Sequence, residues 1–432
     1  MIQQEPRECT ITYHTVTLGQ LTREGVAQAE IILPNEDGEP QTLTVLVPAG
    51  LPGEQVTIAY EPPPTPPKRR RRHWKPRPAR TWITEMHTTS PLRVEAACPV
   101  FGTCGGCQLQ HMHYESQLEW KRAVVEQLLQ DVGNFDDPPL LATVPCDIPW
   151  NYRNQMRFSV NRDGQLGLTA RGTRRVLPLN ACPIAHQRIN DALGILGCSA
   201  HPRPQVVVRY GAASGQMLIQ PQQTPEMAQT LAEAELDIHT ETMEEVLAGE
   251  TFRIRPSSFF QTNTAQANKM LDMVLAGLLS SNERAASELR VVDAYCGVGT
   301  FALFLARHVA HVIAIEESPS AITDAEWNLR HVDNVAIRKG KVEDLLPEMA
   351  ATLDGLVIDP PRAGCQRGVL DALAANPVQR IVYVSCDPST LARDLDILCH
   401  QHATYRLRTI QPLDMFPHTA HIETITVLEH VC

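Results

Sequence analysis

Long apolar runs are missing from this 432-residue sequence. No stretch reaches the roughly 18 consecutive apolar residues that mark a membrane-spanning helix. The opening residues MIQQEPRECT also lack the apolar core of a secretory signal peptide. The sequence therefore predicts a cytoplasmic protein without membrane association. Charged residues make up 20% and apolar residues 43% of the chain, as is typical of a globular protein of several domains.

Acidic residues are absent from one segment of an otherwise acidic chain. The net charge is −11, yet Lys68–Arg80 holds eight Lys or Arg and no Asp or Glu, which leaves the rest of the chain near −19. A basic arm of this kind suits the phosphates of a nucleic acid. The segment follows the run EPPPTPP, so a solvated linker is the alternative interpretation.

Four regions can be separated by their patterns. Residues 1–61 contain short alternating runs punctuated by Gly and Pro, which predict a small β-barrel. Residues 62–97 form a Pro- and Arg-rich linker, and residues 98–251 form a central domain. Residues 252–432 alternate strand-like and helix-like runs, which predicts a doubly wound parallel α/β sheet.

The strand-to-helix turn in VVDAYCGVGTFALFLA has the form of a cofactor-binding turn. Asp293 ends the predicted strand, and Gly297 and Gly299 would let a ligand approach the backbone. Glu316 ends the next strand, where a carboxylate binds ribose hydroxyls in such folds, and Asp359 ends the third. A simple tight turn is the alternative for the glycines alone. The three strand ends together predict a nucleoside-cofactor crevice.

The third glycine of a G-x-G-x-x-G dinucleotide fingerprint is also absent. That glycine pattern serves to accommodate a pyrophosphate. Its absence favours S-adenosylmethionine, which has no pyrophosphate.

Two residues near the carboxyl terminus are candidates for the reaction itself. Cys386 lies where a strand turns into a helix, and a helix N-terminus lowers the pKa of a thiol and favours the thiolate. Glu423 opens a strand of β-branched residues and could act as a general base. A buried inert thiol and an edge-strand charge are the structural alternatives. Taken with a methyl donor, a thiol and a base favour methylation of uracil C5, because a thiolate added at C6 makes C5 nucleophilic.

Several motifs resemble one family, the uracil-5 methyltransferases of RNA, and within it the iron–sulfur branch acting on 23S ribosomal RNA. The motifs, in chain order, are CPVFGTCGGCQLQH, QTN, DAYCGVGTF, DPPRAG, SCDPSTLARDL and DMFPHTAHIE. The resemblance implies a class I methyltransferase (Rossmann-like) sheet, an N-terminal TRAM domain of the OB type and a central α+β iron–sulfur domain. It also implies a monomer that binds RNA, with transfer RNA as the alternative substrate to 23S ribosomal RNA.

The same resemblance assigns roles to individual residues. It implies that Cys386 is the nucleophile and Glu423 the general base. The implied S-adenosylmethionine contacts are Gln261, Tyr295, Glu316 and Asp359.

Twelve cysteines are dispersed along the chain, and three of them, Cys98, Cys104 and Cys107, have the spacing C-x5-C-x2-C. The resemblance implies that these three and Cys182 hold a [4Fe-4S] cluster, for which four thiolates are the usual ligands. A tetrahedral zinc site would use the same four residues and is the alternative.

Two other functions compete with uracil methylation. An amino-group methyltransferase would carry an aromatic residue after the two prolines of DPP, where this chain has Arg362. A non-catalytic RNA-binding or RNA-folding factor would need neither Cys386 nor Glu423.

Overall fold

The computed structural model describes residues 11–35, 37–64, 78–197, 203–280 and 285–431. The chain divides into two compact units. The first comprises Met1–Gln117 with His418–Ala420, and the second comprises Leu118–Pro417 with His421–Cys432. Residues 68–77, most of the basic segment, lie outside the described residues, so its predicted role is untested.

The described chain forms twenty strands. Their bounds are β1 (Thr12–Thr17), β2 (Ala27–Pro34), β3 (Pro40–Val47), β4 (Gln55–Glu61), β5 (Arg80–Met86), β6 (Gln155–Val160), β7 (Leu166–Thr169), β8 (Val176–Pro178), β9 (Gln205–Tyr210), β10 (Gln216–Gln220), β11 (Asp237–His239), β12 (Met243–Leu247), β13 (Glu250–Ile254), β14 (Arg290–Ala294), β15 (His311–Glu316), β16 (Val335–Lys339), β17 (Gly355–Ile358), β18 (Arg380–Ser385), β19 (Tyr405–Leu413) and β20 (Glu423–His430).

The same residues form nine α-helices. They are α1 (Tyr114–Asp131), α2 (Gln187–Leu196), α3 (Pro225–Glu233), α4 (Thr264–Leu279), α5 (Thr300–Leu305), α6 (Pro319–Asn328), α7 (Val342–Met349), α8 (Arg367–Ala375) and α9 (Pro388–Asp396). Short 3₁₀ turns follow α4 and α7, and a π-helical turn extends α9.

The first unit contains a small β structure. Strands β1, β4 and β5 form an antiparallel sheet, and β2 and β3 form a hairpin. Alternate residues such as Val16, Val56 and Ile58 face a common apolar core, as the period-2 pattern predicts. The strands form two sheets rather than one closed sheet, so the OB-type barrel stays a prediction.

Strand β5 lies inside residues 62–97, which the sequence pattern assigned to a linker. It pairs with β4 from Glu61↔Arg80 to Val56↔Met86. Its sequence RTWITEM contains two Thr, one Ile and one Trp, residue types that favour strands, and β4 supplies the hydrogen bonds. The flanking Pro and Arg residues concealed this strand in the sequence.

The second unit begins with a six-stranded sheet in the order β11-β10-β9-β6-β7-β8. All its pairs are antiparallel except β10–β11. A separate antiparallel pair, β12–β13, follows it in the chain and leads into α4.

The seven-stranded sheet of the second unit confirms the predicted doubly wound architecture. Its order is β16-β15-β14-β17-β18-β20-β19, and the first five strands are parallel. Val291 and Val382 pack with α4 and α5 in one core, whereas Val292 and Tyr383 pack with α8 and α9 in another. Because both faces are covered, the central strands β17 and β18 are buried along their whole length.

Strand β20 runs antiparallel to both of its neighbours, β18 and β19. Its first residue therefore lies at the edge of the sheet where the parallel strands end.

Within the described ranges, no helix combines the length and the apolar character required to cross a membrane.

Candidate active site

The predicted reacting groups meet at the carboxyl edge of the seven-stranded sheet. Tyr295 follows β14, Glu316 ends β15, Asp359 follows β17 and Cys386 follows β18. Glu423 joins them because its strand, β20, runs the other way and begins at this edge. Ligands bind at this edge in open α/β sheets.

The nucleophile and base candidates are placed by strand register. Ser385 pairs with Thr424 in the β18–β20 ladder, so Cys386 and Glu423 are the next positions on the two strands. The Thr424 hydroxyl donates to the Ser385 carbonyl at 3.2 Å and fixes this end of the ladder. Glu423 is 5% exposed and Cys386 is partly buried. The geometry thus brings a thiol and a shielded carboxyl to the same end of two paired strands.

The thiol pKa differs from the sequence expectation. Burial, then Glu423 and Asp359, raise the pKa of Cys386 to about 11, while Arg362 opposes them. The expectation that the helix N-terminus would lower this pKa is wrong, because desolvation and two carboxylates outweigh the helix dipole. The N-terminus of α9 is already capped by Asp387, whose side chain accepts from the Ser389 N–H at 3.0 Å. At neutral pH, the thiol of the ligand-free protein is therefore protonated.

The two nearby carboxyl groups are also perturbed. Burial, then Asp359, raise the pKa of Glu423 well above its usual range, and Arg362 opposes the shift. Burial raises the pKa of Asp359 to about 7. A carboxyl with a raised pKa is a stronger base when it ionises, which is what proton abstraction near neutral pH requires.

The glycine turn is held in an unusual backbone conformation. Tyr295, Gly297 and Gly299 all have positive φ, of 63°, 57° and 88°. A Cβ at Gly299 would lie 2.9 Å from the Leu329 side chain, so glycine is required there for space as well as conformation. A non-glycine residue such as Tyr295 in this region is strained, and such strain is concentrated at functional sites.

Glu316 stabilises this turn as well as ending its strand. Its carboxylate accepts from the Gly297 N–H at 2.9 Å and from the Ser318 N–H at 2.7 Å. The Glu317 N–H also donates to it at 3.0 Å. Since a carboxylate offers about four acceptor sites, about one remains for the ribose contact implied by the resemblance. The glycine-turn contact was not anticipated from the sequence.

Asp293 is the first of the three strand-end carboxyls predicted to line the cofactor crevice, although no contact was assigned to it. It is fully buried, and one oxygen accepts from the Ala302 N–H at 2.7 Å. The other oxygen has no hydrogen-bond partner in the described part of the protein. Burial, then Asp359 and Glu316, raise its pKa well above the usual range, although the Ala302 bond opposes this. The strand-end position was the signal that pointed to it.

Gln261 lies on the segment between β13 and α4, whose backbone is anchored by Asn154. The Asn154 amide donates to the Gln261 carbonyl at 3.1 Å and to the Thr264 hydroxyl at 3.0 Å. Asn263, from the same QTN motif, caps α4 by accepting from the Gln266 N–H. The motif thus combines a candidate cofactor contact with a helix start.

Two buried side chains of α6 hold the neighbouring backbone: Asn328 joins β13 to the glycine turn, and Asp324 joins α6 to the start of the Gln261 segment. The Asn328 amide accepts from the Arg253 N–H at 2.8 Å and donates to the Val298 carbonyl at 2.9 Å. One turn earlier, Asp324 accepts from the Arg255 N–H at 2.8 Å and from the Ser258 hydroxyl at 2.6 Å. No sequence motif indicated either residue, because their role depends on contacts distant in sequence.

The loop that precedes Glu423 is fixed by buried polar contacts. The Lys121 ammonium lies 2.5 Å from an Asp414 oxygen and donates to the Phe416 carbonyl at 3.1 Å. The Asn263 amide donates to the Met415 carbonyl at 3.1 Å. These bonds limit the freedom of the chain that leads into β20.

Known proteins resemble this chain over most of its length. The family model described as tRNA (Uracil-5-)-methyltransferase matches residues 232–431. An uncharacterized RNA methyltransferase of Halalkalibacterium halodurans is 32% identical over 470 residues, covering 96% of each chain. The chain belongs to the RNA uracil-5 methyltransferase family. It is an RNA methyltransferase.

Further relatives agree with this membership. An uncharacterized RNA methyltransferase of Gloeobacter violaceus is 35% identical over 398 residues, with 80% of this chain and 85% of the relative covered. Among solved structures, the tRNA (uracil-54, C5)-methyltransferase of Pyrococcus abyssi in complex with S-adenosyl-L-homocysteine matches with a TM-score of 0.68. It is 23% identical and covers 96% of this chain and 100% of its own. That similarity confirms the class I methyltransferase fold.

The four cysteines assigned to an iron–sulfur cluster are divided between the two units. Cys104 and Cys107 are buried and Cys98 is partly buried in the first unit, where the Gly106 N–H lies 3.4 Å from the Cys104 sulfur. Cys182 is buried in the second unit, and its N–H donates to the Asn190 side chain. Across the described ranges, no group of three or more His, Cys, Asp or Glu side chains is arranged to hold a metal. The cluster prediction gains no support from the structure.

We expect Asn328→Ala to weaken S-adenosylmethionine binding by roughly tenfold, because it removes three backbone hydrogen bonds of about 1 kcal/mol each, two with Arg253 in β13 and one with Val298 in the glycine turn. Isothermal titration with the cofactor measures the change. Asn334→Ala is the matched control, since that amide also donates to two backbone carbonyls, Ala306 and Val309, away from the turn. Equal losses in the two variants would contradict the positioning role.

We expect Glu423→Gln to lower the pKa of Cys386. The negative charge of the Glu423 carboxylate raises that pKa, and a neutral glutamine removes the charge. Alkylation of the protein by iodoacetamide is measured across pH by mass spectrometry of the peptide that contains Cys386. At pH values below the Cys386 midpoint, Glu423→Gln should be alkylated roughly two- to tenfold faster than wild type. Cys399 is the internal control, because burial and Asp396 raise its pKa to about 12 independently of Glu423. An unchanged or higher Cys386 midpoint would refute the proposed proximity.

Proposed function

We propose that this methyltransferase transfers a methyl group from S-adenosylmethionine to C5 of a uridine in RNA, with 23S ribosomal RNA as the substrate. The observation that carries the proposal is the alignment of Cys386 and Glu423 at the end of the β18–β20 ladder. A thiol and a carboxyl at one site are the two groups that C5 methylation needs and that amino-group methylation does not.

The electrostatics of the sheet edge favour a cationic cofactor. Four carboxyl groups, Asp293, Glu316, Asp359 and Glu423, lie at the ends or starts of strands at this edge. The sulfonium and ammonium groups of S-adenosylmethionine would offset the cost of ionising buried carboxyls in one place. We assign cofactor contacts to Gln261, Tyr295, Glu316 and Asp359.

The reaction proceeds through a covalent adduct. Cys386 releases its proton to water, and its sulfur bonds to C6 of the uracil, which makes C5 the carbon of an enolate. C5 then attacks the methyl carbon, and the carbon–sulfur bond of the sulfonium breaks to leave neutral S-adenosylhomocysteine. Glu423 removes the proton from C5, and the Cys386–C6 bond breaks to return the thiolate. The target base reaches Cys386 by leaving its stack.

The thiol must be activated by binding, because its pKa lies near 11 in the ligand-free protein. A bound sulfonium places a positive charge at the same edge, which lowers the pKa of a thiol and of the nearby carboxyls. Arg362, exposed and already lowering the pKa of Cys386 and Glu423, acts in the same direction. We therefore assign the activation of Cys386 to the loaded cofactor site.

An exposed aromatic residue supports an RNA substrate at this site. Phe259 is 65% exposed and lies two residues before Gln261 on the anchored segment. Exposed aromatic rings stack with unpaired bases, at about 1–3 kcal/mol per base. We assign Phe259 to a base of the bound RNA.

We propose a [4Fe-4S] cluster on Cys98, Cys104, Cys107 and Cys182, supported by the spacing of the first three cysteines and by the family resemblance alone. No step of the reaction uses it, and its proposed role is structural.

Trapping with 5-fluorouridine tests the reaction. Fluorine at C5 cannot leave as the proton does, so RNA containing 5-fluorouridine should remain bonded to the protein when S-adenosylmethionine is present. A denaturing gel should show this band with wild type and with the control Cys399→Ala, but not with Cys386→Ala. Both 23S ribosomal RNA and transfer RNA are offered, and sequencing of the trapped RNA identifies the substrate.

The failure of trapping is equally informative. If both RNAs and the cofactor bind but no adduct forms, uracil methylation is refuted. Methylated adenine or guanine in the RNA would then establish amino-group methylation. RNA that stays unmodified would instead indicate a binding function. A band with transfer RNA alone would overturn the ribosomal assignment.

Metal analysis tests the cluster. Protein purified without oxygen should contain roughly four iron and four sulfide per chain. Cys104→Ser should lose them, and Cys146→Ser, a buried cysteine outside the set, should not. Stoichiometric zinc would support the alternative site, and the absence of both metals would refute a metal centre.

A further inference from the structure

Two arginine side chains lie over one indole in the second unit, and a third lies on the same segment as one of them. Arg330 stacks on the Trp327 ring with its guanidinium carbon 3.6 Å from the ring centroid, and Arg253 lies 4.7 Å from the same centroid. Arg255 contacts Asp324, one turn before Asn328 on α6, at 2.9 Å. We call Arg253, Arg255, Trp327 and Arg330 the arginine cluster.

The cluster carries an excess of positive charge. In the described residues, Asp324 is the only carboxylate within ion-pair distance of these arginines, 2.9 Å from Arg255 and 4.0 Å from Arg253. The nearby Glu326 carboxylate pairs instead with Lys339 at 2.7 Å. The three guanidinium groups thus have one carboxylate among them. About two positive charges in the cluster are not neutralised, although the whole chain has a net charge of −11.

Mutual repulsion within the cluster is visible at Arg253. Burial, then Arg255 and Arg330, lower the pKa of its guanidinium, and only Asp324 opposes them. Its Nε–H is shielded from solvent and makes no hydrogen bond within the described structure. A bound anion would relieve the repulsion and supply an acceptor.

The guanidinium groups are also held in fixed positions. Arg330 donates to the Trp327 carbonyl at 2.6 Å while it stacks on the ring, and Arg255 is anchored by Asp324. Planar guanidinium groups fixed by stacking lose little entropy when they bind a phosphate. Arg330 remains exposed, so the cluster is accessible from solvent.

The cluster shares its backbone with the candidate active site. Arg253 and Arg255 begin the segment that continues through the exposed Phe259 to Gln261, and Asp324 binds Arg255 and Ser258 along it. An RNA strand that places a base on Phe259 therefore has the cluster at the start of the same segment.

We propose that the arginine cluster binds backbone phosphates of the RNA substrate beside the flipped uridine. The inference rests on the proposed RNA substrate and adds a phosphate-binding surface to it. The contact is independent of base identity, because phosphates carry no sequence information. The contribution of this contact to the RNA affinity should fall as the salt concentration rises, since each phosphate contact releases counterions.

Charge reversal at the cluster tests the proposal. Fluorescence anisotropy measures binding of a labelled single-stranded RNA to the full chain over a series of salt concentrations. Arg330→Glu should weaken binding by roughly tenfold at low salt and reduce the slope of log affinity against log salt by about one. Arg330→Lys should keep the salt slope, because it keeps the charge, but lose part of the affinity, because an ammonium group lacks the stacked planar geometry.

Arg406→Glu is the matched control. Arg406 is exposed on β19, at the opposite edge of the sheet from β16, and its reversal changes the net charge by the same amount. It should bind RNA within about threefold of wild type. Titration with S-adenosylmethionine confirms that Arg330→Glu keeps an intact cofactor site.

The outcomes separate the two proposals. If Arg330→Glu and Arg406→Glu have the same RNA affinity and salt slope, the cluster is not a phosphate site, whatever the trapping result. If Arg330→Glu alone loses affinity and slope, the cluster binds phosphate even where the methylated atom is not uracil C5.

Discussion

The antiparallel pairing of β18 with β20 is the interaction on which the candidate site depends. Parallel strands alone would bring Tyr295, Glu316, Asp359 and Cys386 to one edge, but they would leave the general base elsewhere. Inserting β20 in the opposite direction puts the start of that strand at the same edge. The register Ser385↔Thr424 then determines which residue lies beside Cys386. A slip of one residue would turn Glu423 to the other face of the sheet.

The candidate site is electrostatically unfavourable, and interactions elsewhere in the second unit must offset its cost in folding free energy. Several carboxyl groups lie at one poorly solvated edge, and the pKa values of Asp293, Asp359 and Glu423 are all raised there. Such a site disfavours ionisation until a cation enters, so cofactor binding and nucleophile activation become linked. The buried contacts of Asp324, Asn328 and Lys121 keep the surrounding backbone in place while this charge changes.

The extent of sequence prediction differs among the residues of the site. Cys386, Asp359 and Glu316 could be assigned to one edge because strand ends in an alternating β/α pattern converge by topology. The thiol pKa was predicted in the wrong direction, since a helix N-terminus is visible in sequence but two facing carboxylates and burial are not. Strand β5 was missed because its hydrogen-bond partner, β4, precedes a Pro- and Arg-rich segment. Asp324, Asn328 and the arginine cluster had no local signal, since each depends on contacts between α6 and β13.

The sequence by itself determined the doubly wound class of the second unit, the membership in the RNA uracil-5 methyltransferase family and the identity of the candidate reacting residues. These follow from periodicity and from motifs that are local in the chain. Only the tertiary structure decided the protonation state of Cys386, the contact of Glu316 with the glycine turn and the stacking of Arg253 and Arg330 on Trp327. Burial, charge proximity and strand register arise between segments far apart in sequence, and no local pattern encodes their distances.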